Sequence, residues 1–246
     1  MYEELGRRYL DIVTELLRRV FEEEWSKIER AADMIVETAE NQGVVHVIGA
    51  GHSAIVGEEM FYRAGGLAIV NPIIDNDITV AHGAAKSTMM EHVQGYAEVL
   101  LKAARVSPKD TVIVVSTSGV NTFPIEAAIK AKEMGAKTIG ITSIAYSSTL
   151  EPRNPWGKHL YEVVDVAIDN KVPRGDAVLD IGNGIKTAPV STIVNCYIVH
   201  SIVAVASRKM LEKGTIPPIW ISSHLPEAKE HNEKLFKEYR SRIPLL

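Results

Sequence analysis

Five short runs of β-branched and aliphatic residues lie along the middle of the chain, and their alternation with helical stretches constrains the fold most. Each run leads into a turn and then into residues with helical periodicity. The runs span residues 44–48, 67–70, 111–115, 138–141 and 163–168. Because these runs are continuously apolar, both faces of each strand should be buried, which is typical of parallel sheets covered by helices. The sequence therefore predicts a three-layer α/β/α fold around a five-stranded, mostly parallel sheet.

Helical segments flank this central region. Apolar residues recur every three to four positions over residues 5–39, which predicts one long amphipathic helix or two, and further helices are predicted over 190–211 and 227–239. We expect a helical extension, a central ligand-binding domain and a tail over residues 1–40, 41–214 and 215–246, respectively. An amphipathic stripe must be buried somewhere, so a homodimer or homotetramer is expected, in which the tail could complete a neighbouring subunit's site.

Composition and spacing exclude several classes of partner. Lys and Arg total 27 against 31 Asp and Glu, a formal net charge of −4, so no broad basic face is available for nucleic acid. Cys196 is the only cysteine, and no histidine pair has a metal-ligand spacing; neither a metal nor another cofactor is expected. Residues 193–206, the longest apolar stretch, are too short and too polar to span a membrane, and the charged N-terminus does not resemble a secretory signal. We expect a cytoplasmic protein.

The loop after the first predicted strand is rich in glycine. Glycines at residues 49–54 would let the backbone approach a ligand, and the following helix would present free N–H groups to an anion. The candidate contacts from this loop are Gly51, His52 and Ser53. Its spacing also fits a dinucleotide fingerprint, but that fingerprint wants an acidic residue after the second strand, where this chain has Asn71 and Pro72.

The loop after the third predicted strand carries four hydroxyl side chains and one amide within residues 116–122. Hydroxyls together with helix N-terminal amides suit a phosphate monoester, and the absence of a Walker lysine argues against a nucleoside triphosphate. The candidate phosphate contacts are Ser116, Thr117, Ser118 and Asn121. Helix capping is the alternative, although one cap needs only one hydroxyl. Thr142 and Ser143, after the fourth strand, fit either a third contact or a plain turn.

These two loops carry a resemblance to a known family. With Gly51-His52-Ser53 in the first loop and Ser116-Thr117-Ser118-Gly119 in the second, residues 44–168 resemble the sugar isomerase (SIS) domain family. The resemblance implies a flavodoxin-like fold and a phosphosugar ligand. Within the family, the chain is most similar to a group of bacterial SIS-domain proteins regarded as phosphosugar isomerases, a likeness that brings no known reaction.

The resemblance implies phosphate binding by Ser53, Ser116 and Ser118. The resemblance says less about the acid and base residues. The family's etherases and heptose isomerases carry a glutamate about ten residues after the first-loop serine, and this chain has Arg63 at that position. Glu91 resembles a second glutamate of the etherases and is a candidate base; a helix-surface glutamate is the alternative.

Other candidate acids and bases have equally plain alternatives. Glu59 could act as a base or form an ion pair with Arg63, four residues on. His224 and His231 could serve a neighbouring subunit's site, or could be exposed or internally satisfied histidines. Lys186, in a glycine-rich turn predicted to precede a helix, could reach a sugar phosphate.

The sequence thus predicts a protein that binds a phosphorylated sugar or amino sugar and isomerises it, of the aldose–ketose type, by proton transfer. Two alternatives remain open. One is a non-catalytic phosphosugar-binding or sensor module, which needs the phosphate loops but no base. The other is a phosphosugar lyase or etherase, which would use much the same base.

Overall fold

The computed structural model describes residues 2–246 and contains the predicted five-stranded sheet. Its strands are β1 Val45–Gly49, β2 Val70–Ile73, β3 Thr111–Val115, β4 Lys137–Thr142 and β5 Val166–Asp169. They lie in the order β2-β1-β3-β4-β5, and every neighbouring pair is parallel. The predicted three-layer α/β/α class is confirmed.

Nine α-helices accompany the sheet in the described part of the chain. They are α1 Tyr2–Glu40, α2 Ile55–Met60, α3 Ala84–Met90, α4 Tyr96–Ala103, α5 Thr122–Glu133, α6 Ile144–Ser147, α7 Leu160–Val163, α8 Ser191–Glu212 and α9 Ala228–Tyr239. None of these helices is long and apolar enough to cross a membrane.

Both faces of the sheet are covered, as its continuous apolar strands require. In β3, Val112 and Val114 pack into one hydrophobic cluster with residues of α4, α5 and α7, whereas Ile113 and Val115 pack into another with α1, α2 and α8. Successive side chains of a strand point to opposite faces, so a strand buried on both sides needs an apolar residue at each position.

Helix α1 is one helix of 39 residues, where the sequence left one or two open. One face of its second half is buried, with Ile28 and Ile35 fully covered in the cluster that also contains α8, while Leu10 and Phe21 in its first half are exposed. The same cluster takes in Leu235 from α9, so both terminal segments pack onto the central region.

The second strand begins three residues later than predicted. Leu67 pairs instead with Ile219 in an antiparallel bridge, and the amide of Trp220 donates to the carbonyl of Gly66 at 2.9 Å. The chain after α8 therefore lies along residues 65–68. Burial by this tail, in addition to the sheet, accounts for the apolar run that starts at Leu67.

A two-stranded antiparallel hairpin precedes α8. It consists of β6 Ala177–Asp180 and β7 Lys186–Pro189. The sequence predicted a glycine-rich turn leading directly into a helix, which is wrong: left-handed residues at 182–184 reverse the chain, and Ile181 N donates to Ile185 O at 3.0 Å. Lys186 consequently begins a strand.

Candidate functional site

The strand order places a crevice between β1 and β3. From these neighbours the chain builds the sheet outward in opposite directions, to β2 on one side and to β4 and β5 on the other. The loops that leave β1 and β3 therefore separate, and ligands of open α/β sheets bind at such a point, beyond the carboxyl ends of the strands. Both sequence-predicted ligand loops begin here.

The first loop turns sharply because its glycines permit it. A Cβ on Gly49 would lie 2.7 Å from the carbonyl carbon of Ser53, so no larger residue fits. Gly51 has a φ of +55° and its amide donates to the carbonyl of Ile78 at 2.8 Å. This geometry holds His52, which is exposed, and Ser53, which is half-buried, at the carboxyl edge of the sheet.

The second loop is fixed by contacts with the residues that follow β4. The carbonyl of Thr117 accepts hydrogen bonds from Ser143 N at 3.0 Å and from Thr142 Oγ1 at 3.3 Å. Gly119 has a φ of +59°, and a Cβ there would lie 2.6 Å from Thr142 Oγ1. Ser143 Oγ donates to the carbonyl of Val172 at 2.6 Å. Thr142 and Ser143 are therefore structural, which decides against the ligand reading of these two hydroxyls.

The two loops face each other across a cleft of about 500 Å³. Six of the predicted binding residues line it: Gly51, His52, Ser53, Ser116, Thr117 and Ser118. Glu91, the predicted base, also lines the cleft. Five further polar lining residues were not among the predicted contacts: Ser87, Thr88, Tyr146, Asp176 and Ser191. No lysine or arginine of residues 2–246 is among the lining residues.

Neutral hydrogen-bond donors dominate the second loop. Within the described chain, Ser116 Oγ accepts from Gly119 N at 3.1 Å, whereas the hydroxyls of Thr117 and Ser118 make no internal hydrogen bond. Helix α5 begins directly after this loop and has no acidic residue in its first turn. Hydroxyls, loop amides and the positive end of a helix dipole together can hold an oxyanion without a basic side chain.

Glu91 lies between the two loops. Its Oε2 accepts a hydrogen bond from Asn121 Nδ2 at 2.5 Å, and its carbonyl accepts one from Phe123 N at 2.9 Å. Its Oε1 is 4.0 Å from the position of a Cβ on Gly51. Glu91 is therefore held at the cleft by the second loop, and the side-chain amide of Asn121, predicted to contact phosphate, serves this carboxylate.

Asp176 forms part of the opposite wall. Its Oδ1 accepts hydrogen bonds from Val190 N at 3.0 Å and Ser191 N at 2.8 Å, and its Oδ2 accepts one from Ser191 Oγ at 2.7 Å. A carboxylate thus already occupies the N-terminus of α8, so the free anion-binding donors are those of the two loops. The hairpin separates Asp176 from α8 in sequence, and no local capping pattern reveals this contact.

Glu59 lies outside the cleft of its own chain. Its carboxylate forms an ion pair with Arg63, which was the alternative to a role as base. It also accepts a hydrogen bond from His200 Nε2 at 2.9 Å. Burial lowers the pKa of His200, and the charge of Arg63 acts in the same direction. Sequence reasoning missed His200 because it lies 141 positions from Glu59.

Three further predicted residues are also absent from the cleft lining. Lys186 is exposed at the start of β7, His224 is exposed in the tail, and His231 Nε2 donates to the carbonyl of Ile219 at 2.7 Å. The tail holds His224 beside residues 62–64, because its backbone pairs with residues 65–68. Within one chain, none of the three reaches the two loops.

Comparisons with known proteins agree with this architecture. Residues 8–143 match the family model described as the SIS domain. A UPF0309 protein of Listeria innocua is 41% identical over 239 residues, covering 97% of each chain, and one of Geobacillus kaustophilus is 41% identical over 240 residues, covering 97% of this chain and 96% of that one. The solved phosphoheptose isomerase of Neisseria gonorrhoeae superposes with a TM-score of 0.56 at 15% identity, covering 85% of this chain and all of that one.

Proposed function

Because the chain belongs to the SIS domain family, as its two loops led us to expect, we propose that the cleft binds a phosphorylated sugar or amino sugar. Ser53, Ser116 and Ser118, with the amides of the second loop, hold the phosphate in this proposal. The observation that carries it is the convergence of these uncharged donors at the carboxyl ends of β1 and β3. A solved protein with the same fold is named a phosphoheptose isomerase, so its named substrate is a phosphosugar, and this also supports a phosphosugar ligand here.

The proposed reaction is isomerisation between an aldose and a ketose. In such a reaction, a base removes the proton from C2 of the open-chain aldose, and a proton is returned to C1 of the resulting enediol. Glu91 is the base in this proposal, since its carboxylate lies in the cleft and Asn121 orients it. Contacts to the remote phosphate would position the reacting carbons beside it.

Ligand binding is tested first, by thermal unfolding. We expect fructose 6-phosphate, arabinose 5-phosphate or N-acetylglucosamine 6-phosphate to raise the melting temperature, by roughly 5–10 °C at about 100 times Kd, and the matching unphosphorylated sugars to leave it unchanged. The S116A/S118A double variant should lose the shift, and S26A, at an exposed serine of α1 outside the cleft, should keep it. Equal shifts from phosphorylated and unphosphorylated sugars would contradict the proposal.

Catalysis is tested with the ligand that gives the largest shift. In D₂O, the wild-type protein should exchange the proton at C1 or C2, as followed by proton NMR. E91Q keeps an acceptor for Asn121 but removes the base, so it should retain binding and lose exchange by a factor of about 10²–10⁴. E133Q is the matched control, because Glu133 is exposed near the C-terminus of α5 and does not line the cleft.

The alternatives give different results in the same experiment. A phosphosugar that binds without any proton exchange in the wild type indicates a non-catalytic binding or sensor module. Exchange at C2 accompanied by loss of the substituent at C3 indicates a lyase or etherase. Either outcome contradicts the isomerase and leaves the phosphate site intact.

We also propose that the protein is a homodimer or homotetramer. Leu10 and Phe21 are exposed on the first half of α1, and the Glu59–His200 pair is accessible without facing its own cleft. A neighbouring subunit could cover the apolar residues and receive this pair, or the tail histidines, in its site. Sedimentation equilibrium should give a mass of at least twice 27.0 kDa; a monomer at micromolar concentration would contradict this.

A further inference from the structure

A second cavity of about 500 Å³ opens at the other end of the sheet, and we call it the amino-edge pocket. Val44, which precedes β1, and Asp110, which precedes β3, lie at its base, together with His46. The end of α4 and the residues that follow α9 complete its walls. The amino-edge pocket and the cleft therefore lie at opposite ends of the same two strands.

The base of this pocket holds a buried hydrogen-bond donor without a partner. Asn71 Nδ2 donates to His46 Nδ1 at 3.0 Å, which leaves the ring proton on Nε2. His46 is only 1% exposed, and its Nε2 makes no hydrogen bond within the described chain. The nearest carboxylate oxygen, Asp110 Oδ2, is 3.5 Å away and already accepts from Ser107 N at 2.7 Å and Ser107 Oγ at 2.8 Å. A buried, unpaired N–H is costly and therefore unusual in a folded protein.

Three basic side chains surround the pocket: Arg105, Lys109 and Arg242. Among residues 2–246, none of them lies within 4.0 Å of a carboxylate oxygen. Glu238 is the only acidic residue lining the pocket besides Asp110. The local potential therefore favours an anion, in a chain whose net charge is negative.

Helix capping explains only one of these cations. Arg242 donates to the carbonyl of Gln42, just beyond the C-terminus of α1, where a basic group stabilises the helix end. Arg105 and Lys109 make no such contact. The φ of Arg105, +58°, belongs to the Schellman motif that ends α4, in which Arg105 N donates to Lys102 O at 3.0 Å and Val106 N to Leu101 O at 3.2 Å, so the backbone fixes where its side chain begins.

We propose that the amino-edge pocket binds a small phosphorylated metabolite. Arg105 and Lys109 would supply charge to the oxyanion, and His46 Nε2–H would donate to one of its oxygens at the base of the pocket. The volume suits a molecule of sugar-phosphate size. This binding does not depend on the chemistry proposed for the cleft.

The test uses the full-length protein, labelled with ¹⁵N at histidine, and inorganic pyrophosphate as the probe at low ionic strength. The imidazole resonance of His46 should shift saturably as pyrophosphate is added, and inorganic phosphate should give the same shift at higher concentration. The R105Q/K109Q variant changes two exposed side chains and should weaken this response at least tenfold, which corresponds to the loss of about 1.4 kcal/mol.

Two controls separate this pocket from the rest of the molecule. R8Q/K229Q removes two exposed cations elsewhere and should leave the His46 response unchanged. S118A should also leave it unchanged, whatever it does to binding in the cleft. A His46 resonance that does not move, or that moves equally in R105Q/K109Q, would overturn the proposal. A response confined to His52 would assign the anion to the cleft alone.

Discussion

Asn121 and Glu91 connect the second loop to helix α3, with Nδ2 of Asn121 donating to Oε2 of Glu91 at 2.5 Å. The main chain repeats the connection two residues later, where Phe123 N donates to the carbonyl of Glu91. The proposed base and the proposed phosphate loop therefore move as one unit. A ligand that orders the loop would also orient the carboxylate, which links binding of the phosphate to positioning of the base.

We predict that N121A lowers proton exchange by about 10–100-fold while leaving the phosphosugar-dependent rise in melting temperature largely intact, because a loosely held base is misplaced rather than lost. N121D should have the larger effect on stability. It sets two carboxylates in contact, and we expect urea unfolding at pH 7 to show a loss of about 1–3 kcal/mol.

N183D is the control for the stability measurement, since Asn183 is exposed in the β6–β7 turn. It should cost less than about 0.5 kcal/mol, as is usual for exposed positions. If N121D proves as stable as N183D, the contact between Asn121 and Glu91 is not maintained in solution.

Gly119 offers a second test, because two separate effects oppose a larger residue there. Its φ of +59° alone should cost an alanine about 1–2 kcal/mol, and the approach of a Cβ to Thr142 Oγ1 at 2.6 Å should add about 1–3 kcal/mol. Gly157 has a φ of +60° with no atom within 4 Å of its Cβ position. The difference in unfolding free energy between G119A and G157A therefore measures the steric part, and T142A should recover some of it. Equal costs for the two glycines would show that the loop relaxes away from Thr142.

The features that the sequence predicted and the structure contains are those whose signal is local. Continuous apolar runs such as residues 111–115 reveal a strand buried on both faces, and the hydroxyls at 116–118 mark the loop that follows it. Because parallel strands bring their carboxyl ends to one edge, loops that follow neighbouring strands lie close together, as the loops after β1 and β3 do. These local patterns and the order of the strands are together sufficient to place Ser53 and Ser118 at the same cleft.

The residues that the sequence missed depend on contacts between distant parts of the chain. Asp176 reaches the N-terminus of α8 only because a hairpin folds back between them, and His200 meets Glu59 only because α2 packs on α8. Lys186 was misplaced for a related reason, since three left-handed residues at 182–184 close a hairpin that helical periodicity cannot reveal.

Asp176 should be a stabilising residue whose role an external anion can partly take over. D176A removes the acceptor for Val190 N and Ser191 N, and we expect a loss of about 1–2 kcal/mol, as for other helix N-caps. The exposed amides should then bind phosphate, so adding it should restore part of the lost stability in D176A beyond any effect on the wild type.

S191A is the control for D176A, because it removes the hydroxyl contact and keeps both amide hydrogen bonds. It should be less destabilised and should gain no extra stability from phosphate. Urea unfolding with and without phosphate measures both variants. An unchanged phosphate effect in D176A would mean that the carboxylate does not occupy the helix end.

Asp110 should govern part of the stability at acidic pH. Burial alone would raise the pKa of Asp110, but the His46 ring 3.5 Å from its Oδ2, together with hydrogen bonds from the amide of Val44 and from Ser107, outweighs this effect, so the pKa lies below its usual value. A carboxyl whose pKa is lower in the folded than in the unfolded state stabilises the fold above its unfolded pKa of about 3.9, and this stabilisation disappears as the pH falls through the folded value.

In urea unfolding between pH 7 and pH 3, D110N should lose about 1–3 kcal/mol at pH 7, and the difference from the wild type should shrink below about pH 4. D11N, at an exposed position of α1, controls for removal of one charge. A difference between D110N and the wild type that stays constant down to pH 3 would contradict the lowered pKa.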